Sequence, residues 1–318
     1  MIAKDSMLKK GLPKETQSLC PECKKVVAAR IFESEGKVLM EKTCPEHGKV
    51  TDVYWSNVGL YTKAEKFAYD GIGVSNALIQ NARTCPDNCG LCNLHLSHTG
   101  LANLDLTNRC NMRCPICFAN ANQAGYVYEP SYEEVVKMLE TLRAEKPVPC
   151  TAVQFSGGEP TVYPRLFDVI KKAKELKFAQ VQMATNGIKL AEDPEFARKC
   201  AEAGLNTIYL QFDGITDDIY MKTRARPMVE IKKKAIENVR NLKEHRPSIV
   251  LVPTLVKGFN DHQIGDIIRF AIENRDVVRA VNFQPVAFTG RIDQQEREEG
   301  RYTIPDLVRD VESQTGYA

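Results

Sequence analysis

The 318-residue chain contains no run of 18 apolar residues, so nothing in it reads as a membrane-spanning helix. The opening MIAKDSMLKKGLPKETQ lacks the apolar centre of a signal peptide, and a cytoplasmic location is the expectation. A surplus of basic residues is missing too. The 43 Lys and Arg against 41 Asp and Glu leave a formal charge of +2, which argues against a dedicated nucleic-acid binder. Low-complexity tracts and short internal repeats are absent. After residue 117 cysteine becomes scarce, with only Cys150 and Cys200 remaining. Both lie near or within apolar-periodic segments and read as small buried hydrophobes.

What is present is a crowd of cysteines upstream. Of 11 in total, nine fall between Cys20 and Cys117. An odd count with no secretion signal speaks against a disulfide framework, because thiols in a reducing compartment stay reduced. Clustered thiolates there serve more often as metal ligands. The 43% hydrophobic and 26% charged composition describes an ordinary globular chain, so the metal reading does not replace a packed core.

The texture changes along the chain. Residues 1–60 are thiol-rich, with strand-like stretches at 26–32 and 50–55. From Leu101 onward a strand–helix rhythm sets in. Candidate strands are 101–105, 151–155, 180–184, 207–212, 249–255 and 280–284. Amphipathic helices are expected over 132–143, 165–176, 194–203, 228–244, 263–274 and 304–313, where apolar residues recur three and four apart. The predicted fold class is α/β: a six-strand (β/α)6 partial TIM barrel over 101–318. An N-terminal metal-binding annex over 1–60 and an intervening segment over 61–100 precede it.

Four constellations carry chemistry. Cys110, Cys114 and Cys117, spaced Cys-x3-Cys-x2-Cys, directly follow the first predicted strand. Three thiolates in eight residues can hold three irons of a 4Fe–4S cluster and leave the fourth open, and the loop after a barrel strand lies on the face where active sites are built. The second predicted strand ends in Gly157-Gly158-Glu159-Pro160. There the glycines would let a ligand approach the backbone, and Glu159 would offer an anionic acceptor beside exposed amides. Upstream, Cys20-Pro-Glu-Cys23 and Cys44-Pro-Glu-His47 form two matching knuckles. Together they make a closed Cys3His site for zinc or a mononuclear iron.

Cys110, Cys114 and Cys117 with Gly157-Gly158-Glu159-Pro160 resemble the radical S-adenosylmethionine superfamily. The resemblance implies a 4Fe–4S cluster whose open iron chelates the methionine end of S-adenosylmethionine, and a 5′-deoxyadenosyl radical that abstracts a substrate hydrogen. It also implies an electron donor such as ferredoxin or flavodoxin. By the same likeness Gly157, Gly158 and Glu159 would lie at the methionine ammonium. Asn186, in Thr185-Asn186-Gly187, would face the ribose or carboxylate. Gln211 and Asp213 would stand at the end of the fourth strand, with Arg224 pairing the methionine carboxylate. Ile116 takes the place where the superfamily usually has an aromatic, so Phe118 is assigned to the adenine.

Between annex and barrel stands a second Cys-x3-Cys-x2-Cys, at Cys85, Cys89 and Cys92. It reads as an auxiliary iron–sulfur site, with His95, His98 or an exogenous group as fourth ligand. The order of sites resembles an archaeal group that contains tetraether lipid synthase and the methylases of a methanopterin precursor. That likeness implies attack on an unactivated sp3 carbon with C–C bond formation. Coupling of lipid chains, with peripheral membrane contact, is the leading expectation, and methylation of 7,8-dihydro-6-hydroxymethylpterin is the alternative. A non-catalytic iron–sulfur electron carrier and an RNA-modifying radical enzyme are the remaining readings. A long apolar tunnel in the barrel would favour the lipid, and a compact polar pocket the pterin.

Overall fold

The computed structural model describes residues 9–83, 90–117, 119–286 and 299–317. The chain forms two compact units, one of residues 1–71 together with 301–318, the other of residues 72–300.

The first unit is built on an antiparallel sheet of four strands in sequential order: β1 (Lys14–Leu19), β2 (Val26–Ser34), β3 (Lys37–Cys44) and β4 (Gly48–Trp55). Only parts of β2 and β4 are visible in the sequence pattern. The β2–β3 hairpin closes through Glu35 and Gly36, both at positive φ (51° and 74°), which is the twist a two-residue hairpin turn requires. Helix α1 (Val58–Glu65) begins where Asn57 Oδ1 accepts the Leu60 N–H at 2.9 Å. Its Tyr61 packs on Ile31 and Val38 of the sheet.

The second unit carries six parallel strands, β5 (Ala102–Asp105), β6 (Ala152–Ser156), β7 (Gln180–Thr185), β8 (Thr207–Gln211), β9 (Ser248–Val252) and β11 (Val278–Val281), hydrogen-bonded in that order. Around them lie α2 (Tyr132–Arg143), α3 (Leu166–Glu175), α4 (Ile188–Glu192), α5 (Pro194–Glu202), α6 (Asp217–Arg224), α7 (Val229–Arg240) and α8 (Ile264–Glu273). A two-residue parallel pair, β10 (Thr254–Leu255) with β12 (Gln284–Pro285), follows the last strands. The predicted strand over 249–255 is thus divided at Pro253, which has no N–H to give a ladder. Helices α4 and α6 have no counterpart in the sequence reading, being too short to show a period.

Alternation within the strands separates two chemistries. Val153, Phe155, Val181, Met183, Ile208, Leu210, Ile249 and Leu251 are buried in one core with Val135, Leu139, Val169, Ile170, Ala235 and Val239 of the helices. The opposite face is mixed, with Ala184, Tyr209 and Val250 in one row and polar side chains in the next. Strand register sets Asn103, Gln154, Gln182, Thr207 and Ser248 in one lateral row. Gln182 Nε2 donates to Gln154 Oε1 at 2.9 Å, and Gln154 Nε2 to Asn103 Oδ1 at 2.8 Å. One step along the strands, Ser156 Oγ donates to Asp105 Oδ1 at 2.7 Å.

The last helix, α9 (Ile304–Thr315), belongs to the first unit, whereas its amphipathic period had suggested a sixth barrel helix. Periodicity shows that a face is buried and not what buries it. Thr303 and Asp306 form a capping box, and Ser56 Oγ donates to Asp306 Oδ1 at 2.9 Å. Among the described residues no helix is long and apolar enough to cross a membrane.

Candidate metal centres and cofactor site

The two knuckles converge. Cys20 directly follows β1, Cys44 ends β3, and Cys23 and His47 sit in the turns that come next, so the β1–β2 and β3–β4 loops meet at one end of the sheet. The four ligand atoms lie within 4.8 Å of one another. Cys23 and Cys44 sulfurs are 3.8 Å apart, and His47 Nδ1 stands 3.6 Å from Cys44 Sγ and 3.8 Å from Cys20 Sγ. A tetrahedron with metal–sulfur bonds of about 2.3 Å has edges of roughly 3.8 Å, so this donor set fits one zinc-sized ion. The His47 side chain and then the Glu46 N–H hold the Cys44 thiol down, at about 6, which favours the thiolate a metal needs.

At the carboxyl ends of the barrel strands the cysteine loop and the glycine turn are one assembly. Gly158 N–H donates to Thr107 O at 2.7 Å and Glu159 N–H to Arg109 O at 2.9 Å. A Cβ on Gly157, whose φ is +122°, would stand 2.3 Å from Thr107 O, and one on Gly158 would stand 2.2 Å from Arg109 O. The space left by these side chains is therefore filled by the backbone entering Cys110, and not by a ligand as the sequence suggested. Glu159 also differs from expectation. It is 2% exposed, and its Oε1 accepts from Thr161 N–H (3.2 Å), Thr161 Oγ1 (2.8 Å) and Thr185 Oγ1 (2.7 Å), while Oε2 accepts the Asn186 N–H (2.9 Å). Burial pushes its carboxyl up against those donors.

Asn122 clamps the loop from the other side, its Oδ1 taking the Cys110 N–H and its Nδ2 reaching Cys110 O and Met112 O. Cys110 and Cys114 pack beside Met112, Ile188, Tyr220 and Met228; Cys117 is half-buried. Phe118 lies outside the described residues.

The ends of β7 and β8 add a buried polar network. Asn186 Nδ2 donates to Asn111 Oδ1 (2.7 Å), its Oδ1 accepts the Ile188 N–H (3.0 Å) and its carbonyl accepts from Lys232 Nζ (2.5 Å). Lys232 also donates to Gln211 Oε1 at 2.8 Å, and Gln211 Nε2 donates to Asp213. Asp213 is fully buried and binds Arg224 through two contacts, Nε to Oδ2 at 2.5 Å and Nη2 to Oδ1 at 3.0 Å. The Arg224 fork thus holds the chain's own carboxylate, where sequence reading gave it a cofactor carboxylate. Burial works against the Arg224 charge, but Asp213 and then Cys114 more than offset it and raise its pKa. Lys232 was missed in the sequence. The signal available was its place on the apolar stripe of α7, between Met228 and Ala235.

Of the second cysteine triplet, Cys85 and Cys89 lie outside the described residues. Cys92 is buried, with His95 Nδ1 3.5 Å from its sulfur, and His98 is half-buried. Cys150 and Cys200 are both buried, and burial pushes the Cys200 thiol up to about 12.

The sequence profile of the radical SAM superfamily matches residues 104–271, more than half of the chain. The chain belongs to that superfamily. A second profile, the HMPTM N-terminal zinc ribbon domain, matches residues 12–56 and covers the four-stranded sheet with its knuckles. Among known relatives, the chain is 53% identical over 305 residues to 7,8-dihydro-6-hydroxymethylpterin dimethyltransferase of Methanocaldococcus jannaschii, covering 96% of this chain and 59% of that protein. It is 26% identical to GTP 3′,8-cyclase of Clostridium acetobutylicum, over 64% of this chain and 61% of that one. The chain therefore spans about three-fifths of the length of these relatives. In fold it is similar to Streptococcus suis SuiB bound to its precursor peptide SuiA, with a TM-score of 0.55 at 19% identity, over 69% of this chain and 46% of that one.

Radical SAM membership brings a 4Fe–4S cluster and S-adenosylmethionine, and the donor set at 110–117 suits the cluster. Burial, with Glu159, Cys114 and Cys117 adding negative charge, pushes the Cys110 thiol up to about 12. A cationic group beside Cys110 would favour its thiolate against that burial.

Proposed function

We propose that this chain is the cofactor-binding part of a radical SAM enzyme that methylates a pterin at an sp3 carbon, forming a C–C bond. The observation that carries the reading is the 53% identity, along nearly the whole chain, to a protein named as a hydroxymethylpterin dimethyltransferase. It favours the pterin over the lipid coupling that led the sequence reading. The amide row Asn103–Gln154–Gln182 supports it too, since a pterin's donors and acceptors can pair with the amide groups left over from the row's own hydrogen bonds, and a hydrocarbon cannot.

In this reading Cys110, Cys114 and Cys117 hold the cluster, which when bound supplies the electron that cleaves S-adenosylmethionine to the 5′-deoxyadenosyl radical. Glu159, with Gly157 and Gly158, fixes the loop that carries those cysteines, and its Oε2 is the edge nearest the Asn186 turn. Gln211, Asp213 and Arg224 line the next strand end, where the buried ion pair keeps a fixed field and excludes water. Phe118 is assigned to the adenine. Cys85, Cys89 and Cys92, with His95, form an auxiliary cluster, and the knuckle site is structural zinc. A ferredoxin or flavodoxin supplies the electron.

The test is anaerobic reconstitution with deuterated pterin and, in parallel, deuterated lipid. Deuterium passing from the pterin or its methylene donor into 5′-deoxyadenosine, with methylated pterin formed, is expected. Transfer from terminal lipid methyls with coupled chains would overturn the pterin reading.

A further inference from the structure

Lys232 is 0% exposed, on the buried side of α7 with Ala235, Ile236, Asn238 and Val239. A methionine would fill the same stripe without the cost of burying an ammonium. The acceptors of its Nζ are two neutral oxygens, the Asn186 carbonyl at the end of β7 and Gln211 Oε1 at the end of β8. Its ring neighbour is Tyr220, with Nζ 5.7 Å from the centroid.

The two acceptors are junctions. Asn186 reaches Glu159 through its N–H and Asn111, inside the cysteine loop, through its side chain. Gln211 directs its NH2 group to Asp213, which holds Arg224. With its oxygen on Lys232 and its nitrogen on Asp213, the Gln211 amide has one orientation. Removing the ammonium frees that amide to flip and leaves the Asn186 carbonyl buried without its donor.

We infer that Lys232 is a positioning residue of the S-adenosylmethionine site, gripping the ends of β7 and β8 so that Asn186 and Gln211 hold the geometry in which the cofactor meets them. It acts through these two residues and does not itself touch the cofactor. Nearby charges set its balance: burial pushes the ammonium down to about 7, Asp213 and Glu159 oppose, and Arg224 adds to the push.

The experiment compares anaerobically reconstituted parent, Lys232→Met, Lys232→Arg, Gln211→Leu and the Lys232→Met/Gln211→Leu pair, with exposed Lys234→Met as control. Iron content, thermal unfolding, the dissociation constant for S-adenosylmethionine and the change in the reduced cluster's EPR spectrum on adding it are read. Lys232→Met is expected to keep its iron, bind the cofactor at least about tenfold more weakly and show an altered EPR change at saturation. Lys232→Arg, which keeps N–H donors at that place, should recover most of that loss. The double variant should be no weaker than the weaker single, because both changes break one linkage. Affinity within about twofold of the parent, additive losses, or a folded Lys232→Arg protein with no recovery would each overturn the inference. Should Lys232→Met not fold, the Lys232→Arg and Gln211→Leu arms decide: a folded Arg variant with parental affinity beside a weakened Gln211→Leu supports the inference, and parental affinity in Gln211→Leu overturns it. The readout is binding, so it stands or falls independently of whether the substrate is a pterin.

Discussion

A methyl group on Gly158 would meet Arg109 O at 2.2 Å, and no rotamer relieves a clash with backbone. Gly158→Ala should therefore displace the loop that leads into Cys110. Iron per chain after reconstitution should fall by about the content of one cluster, while Gly100→Ala, with nothing within 4 Å of its added methyl, should match the parent. Equal iron in both variants would show that the turn does not set the cysteine loop. The thiols themselves make a sharper prediction. Replacing Cys110, Cys114 and Cys117 by Ala should abolish reductive cleavage of S-adenosylmethionine, read as 5′-deoxyadenosine, with the barrel still folded. Glu159 teaches a different lesson at this scale. A carboxylate that accepts from Thr161, Thr185 and Asn186 ties two strand ends together before any ligand arrives.

Among elements, the four-stranded sheet and the barrel depend on different forces. The sheet's knuckle end has a small apolar cluster of Cys20, Val27 and Cys44, too little to hold two loops in register by burial. Metal binding supplies what the side chains lack. Cys20→Ser or His47→Ala should lower ribbon metal content and hydrogen-exchange protection across β1–β4, and leave the absorption of the barrel cluster unchanged. Loss of that absorption in a folded variant would mean that the two sites are not separable. The barrel strands instead rest on core residues such as Leu210, fully buried between β8 and its helices. Leu210→Ala should cost about 2–5 kcal/mol in chemical denaturation and leave ribbon metal content untouched.

For the molecule as a whole, pH acts through buried groups more than through the balanced surface charge. Lys232 titrates near 7 when folded and at its ordinary value of 10.5 when unfolded. Between those values the unfolded chain binds the proton and the folded chain does not, so stability contributed by this residue rises with pH through that window. Below about 7 both states carry the charge, and the full burial penalty applies. Unfolding of the cluster-free parent minus that of Lys232→Met should therefore shift in the parent's favour by a few kcal/mol from pH 7 to pH 10. A flat difference would show that the ammonium is not desolvated in the barrel. Glu159, with its carboxyl pushed up, has the opposite sign, losing stability as pH rises through its own window.

Spacing alone determined a good deal. Cys20, Cys23, Cys44 and His47 paired into one site because two identical short turns can meet at one ion, and the six strands were legible because parallel strands alternate with long amphipathic helices. The Cys110–Cys117 loop and the Gly-Gly-Glu turn were legible together through their resemblance to the radical SAM superfamily, and the backbone joins them at the carboxyl ends of the strands. Tertiary structure decided what no local pattern encodes. It set the partner of α9, whose period shows a buried face but not the Ser56 hydroxyl that meets its cap. It gave Arg224 an internal carboxylate, because α6 folds back to set its last residue against Asp213, just past the end of β8. It turned the two glycines toward the backbone at 107–109, a contact between β-strand ends about 50 residues apart. And it brought Lys232 under Asn186 and Gln211, 46 and 21 residues away, since only packing of α7 on the sheet makes them neighbours.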